Sequence, residues 1–228
     1  MAIISFWSCS PSEQELFDEG IKMMETEQYD KAIEFFDRTI EKNPANTTAL
    51  NAKGVALFQQ SKFDEAIVSF SASIAIDSTS YKPYFNRGNA YLEKKSYKEA
   101  LLDYNTANGL DPKQNDIYYN RGLALLALEQ YEDAIFDFDV ALQADPKNAL
   151  AQFNKAKAQL GNNDPVSAIN SLINTVNLDK QNGAAYYLLG VTQMSAFGQK
   201  EDGCANLKLA LSLGYAEAKT WIDDFCKE

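Results

Sequence analysis

The chain has 228 residues, 46% of them hydrophobic, and carries 32 acidic against 21 basic side chains and no histidine, for a net charge of −11. That length and hydrophobic share suffice for a continuous core, while the acidity opposes binding to nucleic acid or to an anionic lipid surface. The absence of histidine removes the commonest general base and metal ligand, together with every Ser-His and Cys-His nucleophile pair.

The first nine residues, MAIISFWSC, are apolar and end at Ser8-Cys9-Ser10, with the polar stretch SPSEQE following. The run resembles the tail of a bacterial lipoprotein signal whose beginning is missing, with Cys9 as the lipid attachment point and the bacterial cell envelope as the implied location. Phe6 and Trp7 depart from the usual pattern, and the basic start of a complete signal is absent. The competing reading is an ordinary apolar N-terminus packed on the first repeat of a cytoplasmic protein. Residues 1–12 are assigned to this segment and tether. No apolar run approaches the roughly 20 residues of a membrane span.

From residue 13 the chain repeats every 34 residues. YDKAIEFFDRTIEKNP from Tyr29, FDEAIVSFSASIAIDS from Phe63, YKEALLDYNTANGLDP from Tyr97 and YEDAIFDFDVALQADP from Tyr131 stand in phase, with alanines at Ala32, Ala66, Ala100, Ala134 and Ala168. Such a period marks a stacked array whose units bury their apolar faces against one another. Each unit reads as two amphipathic helices. In the fourth, Ile117, Tyr118, Leu125 and Leu128 mark the first helix, and Tyr131, Ala134, Ile135, Phe138 and Leu142 the second. Pro112 and Pro146 close second helices. Gly20, Gly54, Gly88, Gly122 and Gly190 recur on first helices, with Ala156 replacing glycine once. Glycine there costs about 1 kcal/mol relative to alanine, so its recurrence requires close helix approach.

These residues resemble the tetratricopeptide repeat (TPR) family. Tyr118, Gly122, Leu125, Ala134, Phe138, Ala141 and Pro146 supply the family pattern in order, and Tyr84, Gly88, Tyr91, Ala100, Tyr104, Ala107 and Pro112 supply it one unit earlier. The resemblance implies an all-α, right-handed α-solenoid of helix-turn-helix repeats, with first helices lining a concave groove that takes a protein or peptide. Five repeats are read at 13–46, 47–80, 81–114, 115–148 and 149–182, together spanning 13–182. The fifth departs at Gln152 and at Pro165. Residues 183–228 read as a degenerate sixth repeat, broken at SAFGQKEDG, and a capping helix.

Catalysis finds no foothold: no catalytic residue, metal site or cofactor is assigned. The acidic pair Asp103 and Asp137 is a repeat position, and Cys9, Cys204 and Cys226 match no zinc spacing. Cys204 and Cys226 either pair in an oxidising compartment or are free buried thiols. The sequon at Asn46 is uninformative alone.

Two ladders on first helices are candidates for the groove. Phe85, Tyr119, Phe153 and Tyr187 recur in phase, with Phe17 in the first unit and Asn51 interrupting. Asn86, Asn120 and Asn154 follow directly after the aromatics. Asparagine is a poor helix-interior residue whose amide both donates and accepts, so a row of amides can pair with an extended peptide while the rings cover its side chains. The alternative is that the amides bond to neighbouring helices and the rings pack within the array. If the groove is the site, the amides of Asn86, Asn120 and Asn154 are expected unpaired. Lys53, Arg87, Arg121 and Lys155 form a third series. Lys82, Asn86 and Asn89 resemble part of the clamp of lysines, asparagines and an arginine that chaperone-binding TPR proteins close on a terminal carboxylate, but Asn51 and Asp116 sit where parts of the basic set would be needed. Internal pairing of Arg87 with Asp103 and of Arg121 with Asp137 is the preferred reading. The chain is thus expected to be a non-catalytic scaffold; the alternative is a self-assembling envelope protein that oligomerises through Ala2–Trp7.

Overall fold

The computed structural model describes residues 11–227, so Ala2–Trp7 and Cys9 lie outside the described residues. The described residues form thirteen helices and no strand. The chain divides into two compact units, Met1–Pro112 and Lys113–Glu228. The first holds α1 (Glu13–Glu25), α2 (Tyr29–Lys42), α3 (Thr47–Gln59), α4 (Phe63–Ile76), α5 (Tyr81–Glu93) and α6 (Tyr97–Leu110). The second holds α7 (Asn115–Ala127), α8 (Tyr131–Ala144), α9 (Ala149–Gly161), α10 (Pro165–Leu178), α11 (Gly183–Phe197), α12 (Lys200–Ser212) and α13 (Ala218–Phe225). Within each unit, helices pack on their chain neighbours in the manner of a TPR solenoid. First helices of successive pairs also meet: α1 with α3, α3 with α5, and α7 with α9.

The recurring first-helix glycine makes room for a ring sixteen residues on. A Cβ at Gly54 would lie 2.4 Å from Phe70 Cε1, and one at Gly122 would lie 2.9 Å from Phe138 Cε1. Gly20 faces Phe36 and Gly88 faces Tyr104 in the same way. The fifth repeat keeps the fit by a paired exchange: Ala156 stands in the glycine place and Leu172 in the ring place, both fully buried. We expect Gly54→Ala to destabilise by about 1–2 kcal/mol, overpacking outweighing the helix propensity gained. Adding Phe70→Leu should recover part of that loss, and a double-mutant cycle from urea melts measures the coupling.

The turn between paired helices was hidden in the sequence. Glu27, Ser61, Lys95, Glu129 and Asn163 all take φ between 57° and 60°, at the same 34-residue interval. Each is the left-handed residue of a Schellman close, in which the next N–H reaches back to the helix: Gln130 N to Leu125 O at 2.9 Å, Asp164 N to Gln159 O at 2.8 Å. A side chain in this region costs about 1 kcal/mol, which glycine does not incur. Glu129→Gly should therefore raise stability by about 0.5–1 kcal/mol despite creating a glycine, seen as a higher melting temperature.

The C-terminal part is more regular than its residues suggest. Pro165 sits at the first position of α10 behind Asp164, whose carboxylate accepts from Ser167 N at 3.0 Å; proline is well tolerated there. The break at SAFGQKEDG is only a turn at Gly198, φ 65°, between α11 and α12. Gly190 and Gly203 let these two helices approach, each Cβ position lying within 3 Å of the other's carbonyl oxygen. Cys204 on α12 is disulfide-bonded to Cys226 at the end of α13, so the free-thiol alternative does not hold. The packing of α13 on α12 puts the two Cα atoms 5.6 Å apart, within bonding reach.

Candidate functional site

The candidate residues sit on first helices: Asn51 on α3; Phe85, Asn86 and Asn89 on α5; Tyr119 and Asn120 on α7; Phe153 and Asn154 on α9; Tyr187 on α11. All are half-buried, neither sealed in the core nor standing free. The rings rest on aromatic side chains of the following helix or turn. Phe85 meets Tyr104 with ring centres 6.1 Å apart, Tyr119 meets Phe138 at 6.0 Å, and Tyr187 meets Tyr215 at 4.9 Å. Phe153 packs at the edge of the C-terminal core, with Lys157 Nζ 5.8 Å from its ring centre. Each aromatic thus has one face committed to packing.

The amides are not unpaired, contrary to expectation. Asn86 Nδ2 donates to Asn51 Oδ1 at 3.0 Å, joining α5 to α3, and Asn154 Nδ2 donates to the Tyr119 hydroxyl at 3.4 Å, joining α9 to α7. Asn120 is engaged as well. The physical reason is proximity. On this side α3 meets α5 and α7 meets α9, so residues 35 apart are brought within reach, and a half-buried amide near a polar neighbour bonds to it. These bonds leave one side of each amide over: Asn51 Nδ2, Asn86 Oδ1 and Asn154 Oδ1 take no part in them. Asn89 has a separate task, accepting from the Tyr104 hydroxyl at 2.8 Å. That pairing left a trace in the chain. Tyr104 replaces the phenylalanine of other repeats at the one place where Val55 and Leu123 give way to Asn89.

The basic series is consumed internally. Arg87 grips Asp103 through Nε and Nη2 at 2.7 and 2.8 Å and reaches Ser71 with Nη1 at 2.8 Å. Arg121 grips Asp137 with Nε and Nη2, both at 2.7 Å. Lys53 pairs with Asp37 and Lys155 with Asp139, both at 2.5 Å, reaching back to the preceding repeat. The hydrogen bonds to Asp103 and Asp137 raise the basicity of both guanidiniums, while burial holds the Asp137 carboxyl above its ordinary value despite Arg121. Burial also pushes the hydroxyls of Tyr104 and Tyr119 upward, so both remain neutral.

Lys82 lines a shallow cleft of about 220 Å³ with Thr47, Asn51, Ser73 and Asp77, so an acidic side chain shares the space where a carboxylate clamp would close. Asn46 is fully employed as the cap of α3, accepting from Ala49 N at 2.8 Å and donating to Glu13 at 2.6 Å. A glycan on Nδ2 would crowd the bond to Glu13. Among the described residues no group of acidic, cysteine or histidine side chains could hold a metal ion, and no helix is long and apolar enough to cross a membrane.

No curated protein sequence matches the chain. In fold it is similar to YrrB, described as a TPR protein with an unusual peptide-binding site, at 22% identity over 78% of this chain and 91% of that one, TM-score 0.71. It is similar to MamA from Desulfovibrio magneticus RS-1 at 18% identity over 75% and 96% of the two chains, TM-score 0.70. A chain of the Cut9–Hcn1 hetero-tetramer of the APC/C aligns with 89% of this chain and 40% of its own length, at 14% identity and TM-score 0.67. At these identities the likeness shows the fold. A family model described as TPR repeat matches residues 54–95 and 88–129, and one described as tetratricopeptide repeat matches 116–148. With the 34-residue period, the paired helices and the glycine-to-ring fit all in agreement, residues 54–148 are tetratricopeptide repeats, and the helix pairs on either side keep the same fold.

Proposed function

We propose that the chain is a non-catalytic scaffold that binds a protein or peptide partner along the first-helix side of its repeats. One observation carries this reading: rings and amides recur in phase on first helices and stay half-buried, presenting one face outward after their internal contacts are made. The similarity of fold to YrrB, a TPR protein described as having a peptide-binding site, supports it. A photo-crosslinking residue at Phe85 or Phe153 should capture a protein from host extract. The same residue at Leu102, exposed on a second helix, should not. Capture from Leu102 alone would move the binding face and overturn the proposal.

We also propose that the protein works in an oxidising compartment, anchored by lipid on Cys9 in a bacterial envelope. The disulfide Cys204–Cys226 supports this, because structural disulfides are rare in the cytosol. One acyl chain gives only reversible attachment, so stable anchoring requires several on that cysteine. Mass spectrometry of the protein from its own host checks it: an unmodified Cys9 behind an intact Met1 would rule out the anchor.

A further inference from the structure

We infer that the outer faces of the second helices α4 and α6 form a contact surface that a second copy of this chain covers, making a dimer through the first unit. Among the described residues of that unit, the exposed large apolar side chains are Val68, Ile76, Leu102 and Leu110, with Val68 at 69% and Leu102 at 68%. Apolar residues scattered singly over a surface mean little. These four are not scattered. Val68 and Leu102 hold the same place one repeat apart, and so do Ile76 and Leu110. Within each helix the two stand eight residues apart, with Ala72 or Thr106 midway, so each trio shares a helix face. The Thr106 hydroxyl donates to Leu102 O at 3.0 Å, which leaves no unpaired donor at the middle of its stripe.

The surface is also empty of charge. Between Glu65 and Asp77, α4 carries no charged residue; between Glu99 and Asp111, α6 carries only Asp103, which is buried against Arg87. The same places on α2 hold Glu34, Arg38 and Lys42, the ordinary solvated face of a surface helix. Charge and spacing together select the occupant. A basic partner would be drawn to the acidic remainder of the chain. A second copy, itself at −11, meets least repulsion where both sides are neutral. The period then supplies the match. A two-fold axis lying in the contact plane, parallel to α4 and α6 and midway between them, sets Val68 against the partner's Leu102 and Ile76 against the partner's Leu110. One repeat step in each copy fits the same step in the other, and all eight side chains are covered at once.

Sedimentation equilibrium of the full chain should show the mass rising from one chain toward two between about 1 and about 200 µM, the range expected of a small interface. The dimer should tighten several-fold from roughly 50 to roughly 500 mM salt, as repulsion between two acidic copies is screened. Val68→Lys and Leu102→Glu should each weaken association by about tenfold or more while leaving the melting of dilute protein unchanged, because both places are exposed. Mixed together, the two variants should associate more tightly than either alone, since the introduced lysine of one then faces the introduced carboxylate of the other. In purified protein, a photo-crosslinking residue at Leu102 should join two chains. A monomer at every concentration, no gain on mixing, or capture of a host protein at Leu102 in place of a second copy would overturn the inference. So would association that survives both variants and is lost on Ile4→Ser with Trp7→Ser, which would move the contact to the N-terminal segment.

Discussion

Arg121→Leu is expected to be among the most damaging single changes in the chain, lowering unfolding free energy by about 3–5 kcal/mol. The Asp137 side chain is 1% exposed and Arg121 15%, and the two share parallel hydrogen bonds. Removing the guanidinium leaves a carboxylate with neither water nor counter-ion. Lys53→Leu should cost less than about 1 kcal/mol, because Asp37 is 45% exposed and water replaces its partner. The pH response separates the two further. Burial already raises the Asp137 pKa, and loss of Arg121 raises it more. A carboxyl whose folded pKa exceeds its unfolded one holds more protons in the native state, so stability falls as pH rises through that interval. Arg121→Leu should therefore regain stability relative to the wild type on acidification toward the ordinary carboxylate value of about 3.9, and Lys53→Leu should not. Chemical denaturation across pH measures both. Equal losses in the two variants would mean that burial is not what makes the Arg121 pair matter.

Cys226→Ser should lower stability by about 2–4 kcal/mol, the usual effect of a disulfide closing a loop of this length. The bond spans 22 residues and ties α13 to α12. With eight residues, α13 is too short to hold helix by itself, and its place depends on Ala218, Trp221 and Ile222 packing on the C-terminal core. Reduction of the wild type should reproduce the variant's melting curve and increase hydrogen exchange in α13 before the repeats. Unchanged melting on reduction would show that the packing of α13 suffices alone. The effect also bears on location, since a cap that depends on this bond is best suited to an oxidising environment.

The legible part was whatever recurs. Period, glycines and alanines specified paired helices and their crossing points, because each unit must repeat one geometry to stack on its neighbours. Arg87 and Arg121 could be matched to Asp103 and Asp137 because sixteen residues spans one hairpin, a relation within the period. The turns escaped for the opposite reason. Glu27, Ser61, Lys95, Glu129 and Asn163 share a left-handed backbone but no residue type, and Gly198 turns the sixth repeat where SAFGQKEDG seemed to break it. The Schellman hydrogen bonds, not the side chains, impose that conformation. The amides were legible as a ladder but not as partners. Whether Asn86 and Asn154 stand free or bond to Asn51 and Tyr119 depends on how closely successive first helices approach, a distance no spacing encodes. The same holds for Cys204 and Cys226, whose union required α13 to fold back on α12. Local periodicity thus determined the elements and their pairing within a repeat. Contacts between elements from different repeats, and with them the polar partners left for a ligand, were decided only when the helices packed.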